Sequence, residues 1–282
     1  MPKLSIITIN YNNSEGLKKT LESVAAQTYH DFEHIIIDGG STDDSVDVIR
    51  EYENTIKQSA IQVHWVSERD NGIYNAMNKG IRMAIGEYVE ILNSGDWLAA
   101  NDVVERMLHA LDEKGNPDVL YGNMIKIYPD SKIVDTCGGN LYTPRSFLYF
   151  YKGTLNHDCA YIRRSLFDRF GLYDEQMKIC SDWKWYVDVI AIGGVVPVYV
   201  NIDVTYFNME GVSESGGKNA ELIKQERREY LEKILPASIL YDYEQFSFPI
   251  LQYQRLKKHH LWGLVNFIER VLFKLEKWHV IR

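Results

Sequence analysis

Four short β-branched runs, each breaking into a knot of small polar and acidic residues, set the strongest limit on how this chain folds. Leu4-Ser5-Ile6-Ile7-Thr8-Ile9 leads into Asn10-Tyr11-Asn12, and residues 32–37 lead into Asp38-Gly39-Gly40-Ser41. Residues 61–66 precede Glu68-Arg69-Asp70-Asn71-Gly72, and residues 88–92 precede Asn93-Ser94-Gly95-Asp96. Runs of this length and composition read as buried strands. Between and after them, apolar residues recur at helical spacing. One set is Leu17, Leu21, Val24 and Ala25, a second is Ile73, Met77, Ile81 and Ala84, and a third is Val103, Val104, Met107, Leu108 and Leu111. Ser41 is placed to cap the helix after it, with Asp44 at that helix's positive end. Strand–helix alternation with short connections predicts parallel strands joined by right-handed crossovers, hence a doubly wound α/β sheet. In such sheets ligands bind beyond the carboxyl ends of the strands, where all four polar clusters fall.

Past residue 115 the rhythm changes. Residues 119–128 and 132–136 predict hairpin strands, 159–163 another strand, 183–192 a helix and 196–200 a strand. This half is α+β in flavour and shows no sign of being separable from the first. A helix over 221–235 closes the globule before Pro236. The boundaries are therefore 1–112, 113–235 and a C-terminal helical extension over 236–282.

Charge separates that extension from the rest. The chain carries 31 Lys plus Arg against 39 Asp plus Glu, a net −8, which disfavours a nucleic-acid binder held by phosphate contacts. Residues 257–282 hold six Lys or Arg and two Glu, a net +4, leaving −12 on the remainder. There Leu261, Leu264, Val265, Ile268, Val271, Leu272, Leu275 and Trp278 follow helical spacing. Such a basic amphipathic helix suits two roles: lying in a bilayer interface, or docking on the domain or another subunit. The longest charge-free apolar stretch, 189–202, is too short to span a bilayer, and the N-terminus has no signal-peptide pattern. The expected location is the cytoplasm, with peripheral contact at the inner membrane face. Cys137, Cys159 and Cys180 form neither a Cys-x-x-Cys pair nor a zinc spacing and read as free thiols of a reducing compartment.

Missing motifs narrow the chemistry. No Gly-x-Gly-x-x-Gly follows the first strand, no Gly-x-x-x-x-Gly-Lys-Ser/Thr occurs, and there is no Gly-x-Ser-x-Gly elbow. What remains are the strand-end carboxylates Asp38, Asp70 and Asp96, which repel one another unless they meet a cation or donor groups. Asp96, directly after an apolar strand, is placed to hold a hard divalent ion, Mg2+ or Mn2+, whose shell phosphates and water complete. One aspartate alone reads as a helix cap or turn former. Three at one sheet edge favour a nucleotide-diphosphate pocket.

The wording of these stretches resembles glycosyltransferase family 2, the inverting transferases of GT-A fold, over residues 3 to about 215. The likeness rests on residues 5–12, Ile36-Ile37-Asp38-Gly39-Gly40-Ser41-Thr42-Asp43, residues 68–80, Gly86-Glu87-Tyr88 and residues 92–97. It continues through Asn156-His157-Asp158, residues 171–175, Ser181-Asp182-Trp183 and Gly211-Val212-Ser213. The wording is closest to members that build bacterial exopolysaccharide and capsule. The resemblance implies a nucleotide-sugar donor, uridine-linked, and a saccharide or polyprenyl-linked acceptor. Residues 1–112 then form the nucleotide-binding half and 113–235 the acceptor-side half.

Residue by residue, the resemblance implies that Asp38 accepts from uracil or ribose and that Ile9, Asn10 and Tyr11 frame the base. Asp70 lines the same pocket, with Gly39, Gly72, Asn78, Lys79, Ser94 and Gly95 around the donor. Asp96 matches the last acid of the metal motif, whose other acids are here replaced by Asn93 and Gly95, so metal binding is expected to lean on donor phosphates. Asp182 matches the catalytic base. Trp183 and His157 are expected on the acceptor side. For His157 the reading is open between diphosphate, metal and acceptor, against a buried histidine satisfied by backbone. Trp185 reads at least as well as core, and of Arg163 and Arg164 at most one reaches phosphate. The alternatives are a non-catalytic nucleotide-sugar-binding module, suggested by the thinned metal motif, and a nucleotidyltransferase. The latter normally needs a basic phosphate loop that residues 11–16 do not supply.

Overall fold

The computed structural model describes residues 2–57, 59–128, 131–135, 146–209, 219–259 and 261–277. Thr136, Cys137, the Gly211-Val212-Ser213 stretch and Trp278 lie outside them. The chain divides into two compact units, residues 1–229 and 230–282.

The first unit opens as β1 (Leu4–Asn10), α1 (Ser14–Ala25), β2 (Glu33–Asp38), α2 (Ser45–Thr55), β3 (Gln62–Ser67), α3 (Ile73–Met83) and β4 (Tyr88–Ile91). Strands β3, β2, β1 and β4 lie side by side and parallel, as the alternation predicts. All seven residues of β1 are buried, because neighbours flank it on both edges and helices cover its faces. Gly80 makes one of these coverings close: a Cβ there would lie 2.3 Å from Ile7 Cγ2, so α3 rests directly on β1.

Next come β5 (Trp97–Leu98), α4 (Val103–Glu113), β6 (Val119–Tyr128), β7 (Ser131–Asp135), α5 (Phe147–Lys152), β8 (Ala160–Arg163), α6 (Ser165–Phe170), α7 (Ser181–Tyr186), β9 (Val198–Asn208) and α8 (Ala220–Ile234). The described strands form one sheet in the order β3-β2-β1-β4-β8-β6-β9-β5, with β7 on β6. Strand β8 runs antiparallel to β4 and β6, while β9 runs parallel to β6. The second half therefore extends the sheet of the first, and its loops return to the same strand ends.

Several local expectations change. Strand β9 starts only after Pro197, which cannot donate to a ladder, and runs to Asn208, eight residues beyond the expected end at Val200. Asn201, Asp203 and Thr205 hid that length. The expected helix over 183–192 is α7 followed by a wider π-helical turn, Val187–Ile192. Ser41 does not cap α2, because its hydroxyl bonds to Asp38 and accepts from the Asn12 N–H. Ile73 is not on the buried stripe of α3, whose inner face is Tyr74, Met77, Asn78 and Ile81. The second unit holds α9 (Ala237–Lys258) and α10 (Trp262–Lys277). No helix among the described residues is long and apolar enough to cross a membrane.

Candidate active site

The carboxyl ends of β1 and β2 are locked together by one buried aspartate. Asp38 accepts from Asn10 Nδ2 at 2.8 Å, from the Ser41 N–H at 3.0 Å, from Ser41 Oγ at 2.5 Å and from Ser67 Oγ at 2.6 Å. Burial opposes its charge, but the donors from Ser41, Ser67 and Asn10 outweigh burial and hold the carboxyl below its ordinary range. Every donor is part of the chain. Asp38 thus organises the strand ends, a structural task that the expectation of a base or ribose contact did not include.

Around it lies an open edge. Tyr11 is 68% exposed, and a Cβ on Gly39 would stand 3.2 Å from the Tyr11 ring and 3.1 Å from Asp70 Oδ2. Ile9 and Asn10 are buried behind this edge. The Asp70 carboxylate is paired with Lys79 Nζ at 2.5 Å, and Lys79 also reaches Glu68 at 2.8 Å. Although burial opposes its charge, those two acids hold Lys79 above its usual range. Gly72 takes φ +119° at the start of α3, a conformation that favours glycine. Asn78 departs from expectation. It is buried and clamps residues 173–175, donating to the Tyr173 carbonyl at 2.9 Å and to Glu175 at 2.8 Å while accepting from the Tyr173 N–H at 3.0 Å. It joins the two halves of the unit instead of facing a donor.

At the end of β4 the chain turns through Gly95, whose φ is +102°, and Asn13 reaches across to Ser94. Thr20 Oγ accepts from the Gly95 N–H and donates to the Asp96 carbonyl at 2.6 Å, so α1 fixes this turn. The Asp96 carboxylate is nearly buried and accepts from the Asn208 N–H at 2.9 Å, which ties it to the end of β9. Burial first, then the charge of Asp158, raises its carboxyl well above the ordinary range, while the Asn208 N–H and His157 work the other way.

His157 and Asp158 sit in a 3-10 turn before β8. The His157 ring faces Asp158 Oδ1 at 2.8 Å through Nε2 and Asp182 Oδ2 at 3.5 Å through Nδ1. It is a half-buried histidine whose ring faces carboxylates rather than backbone. Desolvation pulls its pKa down, yet the two acids override burial and raise it well above normal. Asn93, at a position where the metal motif often has an acid, lies 3.2 Å from His157 Nε2.

Asp182 stands in the first turn of α7. Its Oδ1 accepts from the Tyr74 hydroxyl at 2.9 Å, and that hydroxyl also bonds to the Ile179 carbonyl. Burial works against its charge, but hydrogen bonding and attraction from His157, with the Tyr74 hydroxyl and the Trp183 N–H, hold it below the ordinary range. The preceding loop is held by Glu226, which accepts the backbone N–H groups of Lys178 at 2.6 Å, Ile179 at 3.1 Å and Cys180 at 3.0 Å. On the Tyr74 side lies a pocket lined by Asn71, Gly72, Ile73, Tyr74, Glu175, Met177 and Lys178.

Asp96, Asp158, His157 and Asp182 therefore form one electrostatic group drawn from the turn between β4 and β5, the 3-10 turn before β8 and α7. Behind it, Glu90 on β4 is fully buried, and burial followed by the charge of Asp158 pushes its carboxyl well above the normal range. Among the described residues no three His, Cys, Asp or Glu side chains converge as a ready metal-ligand set. A hard divalent ion nevertheless suits Asp96. Its carboxyl is destabilised by a neighbouring acid, and phosphate oxygens commonly complete a shell that one carboxylate begins.

Two expected side chains lie elsewhere. Trp183 is 1% exposed and donates its indole N–H to the Phe150 carbonyl at 2.7 Å, so it is core and offers no face to a sugar. Neither Arg163 nor Arg164 serves phosphate. Arg163 pairs with Glu87 and Asp118, and Arg164 bonds to the Gly86 carbonyl, all at the far end of β4. Trp185 is core as well, donating to the Gly171 carbonyl at 2.8 Å. Sequence reasoning gave no role to Tyr74, Thr20, Asn208 or Glu226, because each acts through an atom brought from a distant segment. Only Tyr74, one helical turn before Asn78 on the inner face of α3, carried a local signal.

Comparison with known proteins completes the assignment. The family model described as glycosyl transferase family 2 matches residues 5–171. A PGL/p-HBAD biosynthesis glycosyltransferase of Mycobacterium bovis is 28% identical over 225 residues, covering 80% of this chain and 82% of its own. The crystal structure of S. aureus TarS 1-349 in complex with UDP-GlcNAc superposes with TM-score 0.65 at 18% identity, covering 90% of this chain and 73% of its own. This chain spans only 43% of the longer TarS chain. The mannosyltransferase PcManGT from Pyrobaculum calidifontis, in complex with GDP-Man and Mn2+, gives TM-score 0.62 at 17% identity over 98% of this chain and 83% of its own. With a curled, mostly parallel sheet of GT-A type and a family match across more than half its length, this chain belongs to glycosyl transferase family 2.

Proposed function

We propose that the protein transfers a sugar from a nucleotide-sugar donor, uridine-linked, to a saccharide or lipid-linked acceptor with inversion at the anomeric carbon. The donor lies over the strand ends at Tyr11, Gly39 and Asp70. The reading is supported chiefly by the gathering of Asp182 and Asp96, 86 residues apart in sequence, around His157 and Asp158.

Inversion needs one displacement, with a base that takes the acceptor hydroxyl's proton as the new bond forms. Asp182 is that base. His157 keeps it ionised and Tyr74 fixes its orientation, so the carboxylate meets the hydroxyl in the correct protonation state. Asp96, with the donor's phosphates, would hold a divalent ion. When bound, that ion supplies Lewis-acid stabilisation to the departing diphosphate. Thr20 and Asn208 position Asp96 for this. The similar structures hold UDP-GlcNAc in TarS and GDP-Man in PcManGT, so the nucleotide is itself a variable of the test.

The deciding experiment is a panel of nucleotide sugars with saccharide and polyprenyl-linked acceptors, the product's anomeric configuration being read by NMR. Transfer with inverted configuration is expected. Retained configuration rules out the single displacement. Tight metal-dependent nucleoside-diphosphate binding with no transfer across the panel identifies a binding module instead.

A further inference from the structure

The second unit wears its apolar residues outside. Among the described residues between 239 and 273, thirteen large hydrophobic side chains are exposed, among them Phe246 at 55% and Phe267 at 65%. Soluble proteins rarely display apolar surface so densely unless something covers it. On α10, Leu264, Phe267, Ile268, Val271 and Leu272 are all exposed, and at 3.6 residues per turn they share one arc of roughly 140°. Arg270 and Lys274, both exposed, stand along the edge of that arc beside Phe267.

We propose that this face of α10 binds the surface of an anionic lipid bilayer. The helix lies in the interface plane, its apolar arc among the acyl chains and its basic edge against the headgroups. Charge selects this occupant. Residues 257–282 carry net +4 on a chain whose remainder carries −12, so an anionic membrane attracts this segment and repels the body. A second copy is the poorer occupant, because an antiparallel pairing of two α10 helices sets the Arg270 and Lys274 edge against itself. No helix among the described residues is long and apolar enough to cross the bilayer, and the interface is the place that suits this one. This inference does not depend on the transfer reaction, though a lipid-linked acceptor would lie at the same surface.

The test is co-sedimentation of the full-length protein with vesicles of phosphatidylcholine alone or with about one third phosphatidylglycerol. The expected result is preferential binding to the anionic vesicles, weakening as salt rises. The double change Arg270→Gln with Lys274→Gln removes two exposed charges and should weaken binding by about fivefold per charge. Ile268→Asn should weaken it without altering the thermal melting of the protein. Equal binding to both vesicle types, no binding at all, or unchanged binding in both variants overturns the proposal. So does a concentration-dependent dimer in light scattering that Ile268→Asn dissolves, since the face then belongs to a second copy.

Discussion

Two histidines largely enclosed by protein sit in the two halves of the first unit, and their surroundings drive them in opposite directions. His34, on β2, lies between the hydroxyls of Thr8 at 3.0 Å and Tyr52 at 2.7 Å, and burial alone pulls its pKa down to about 3. His157 is largely enclosed, with 13% of its side chain exposed, yet Asp158 and Asp182 overcome desolvation and raise its pKa well above normal. The aspartates repeat the contrast. Asp38 owes its low pKa to neutral donors at neighbouring strand ends, whereas Asp182 owes its own chiefly to His157, from the 3-10 turn before β8. A polar group satisfied by neutral neighbours is scaffold, because its state does not change over the working pH range. One satisfied by opposing charge can gain or lose a proton when a neighbour's charge changes, and that is what an acid–base site requires.

The comparison breaks most sharply at Asp182. Asp182→Asn removes the proposed base and should lower transfer by about 10²–10⁴-fold while calorimetry shows donor binding intact. A near-normal rate would put the proton elsewhere. Asp96→Ala should cost on the order of 10²-fold in transfer and abolish the metal dependence of nucleoside-diphosphate binding. Metal dependence that survives would move the ion to other ligands.

On the scaffold side, Asp38→Ala should act on stability before activity. It strands Asn10, Ser41 and Ser67, at about 1–3 kcal/mol for each donor that water cannot reach, measured by denaturant unfolding. The smallest effect belongs to His34. Its folded pKa lies below the unfolded value of 6.5, so its neutral form supports stability above pH 6.5, and that support is lost as pH falls towards 3. The loss has a slope of at most about 1.4 kcal/mol per pH unit. A His34→Gln protein should lack this part of the acid sensitivity, and identical pH–stability curves would contradict the burial argument.

How much of this was legible beforehand depends on the range of the interaction. The β-branched runs of β1, β2 and β4 and the apolar stripes of α1 and α4 announce themselves, because a strand buried on both faces and a helix with one buried face leave periodic marks. β5 has two residues and leaves no period to read, and β9 is interrupted by polar residues that its sheet position accommodates. In the site, Asp96, His157 and Asp182 stand out by residue type. The roles of Asn78 and Trp183 do not, since either an exposed or a buried setting suits their local sequence, and only the packing of residues 173–175 and of Phe150 against them decides.

By itself the sequence determined the parallel first half and its polar strand ends, which follow from periodicity and short-range turn chemistry, while the family came from the likeness of its motifs. Only the tertiary structure decided which acids meet. The return of β8, α7 and β9 to the end of β4 sets His157 between Asp158 and Asp182 and ties Asn208 to Asp96. The ionisation of a buried group depends on charges a few ångströms away in space, however many residues away they lie in the chain.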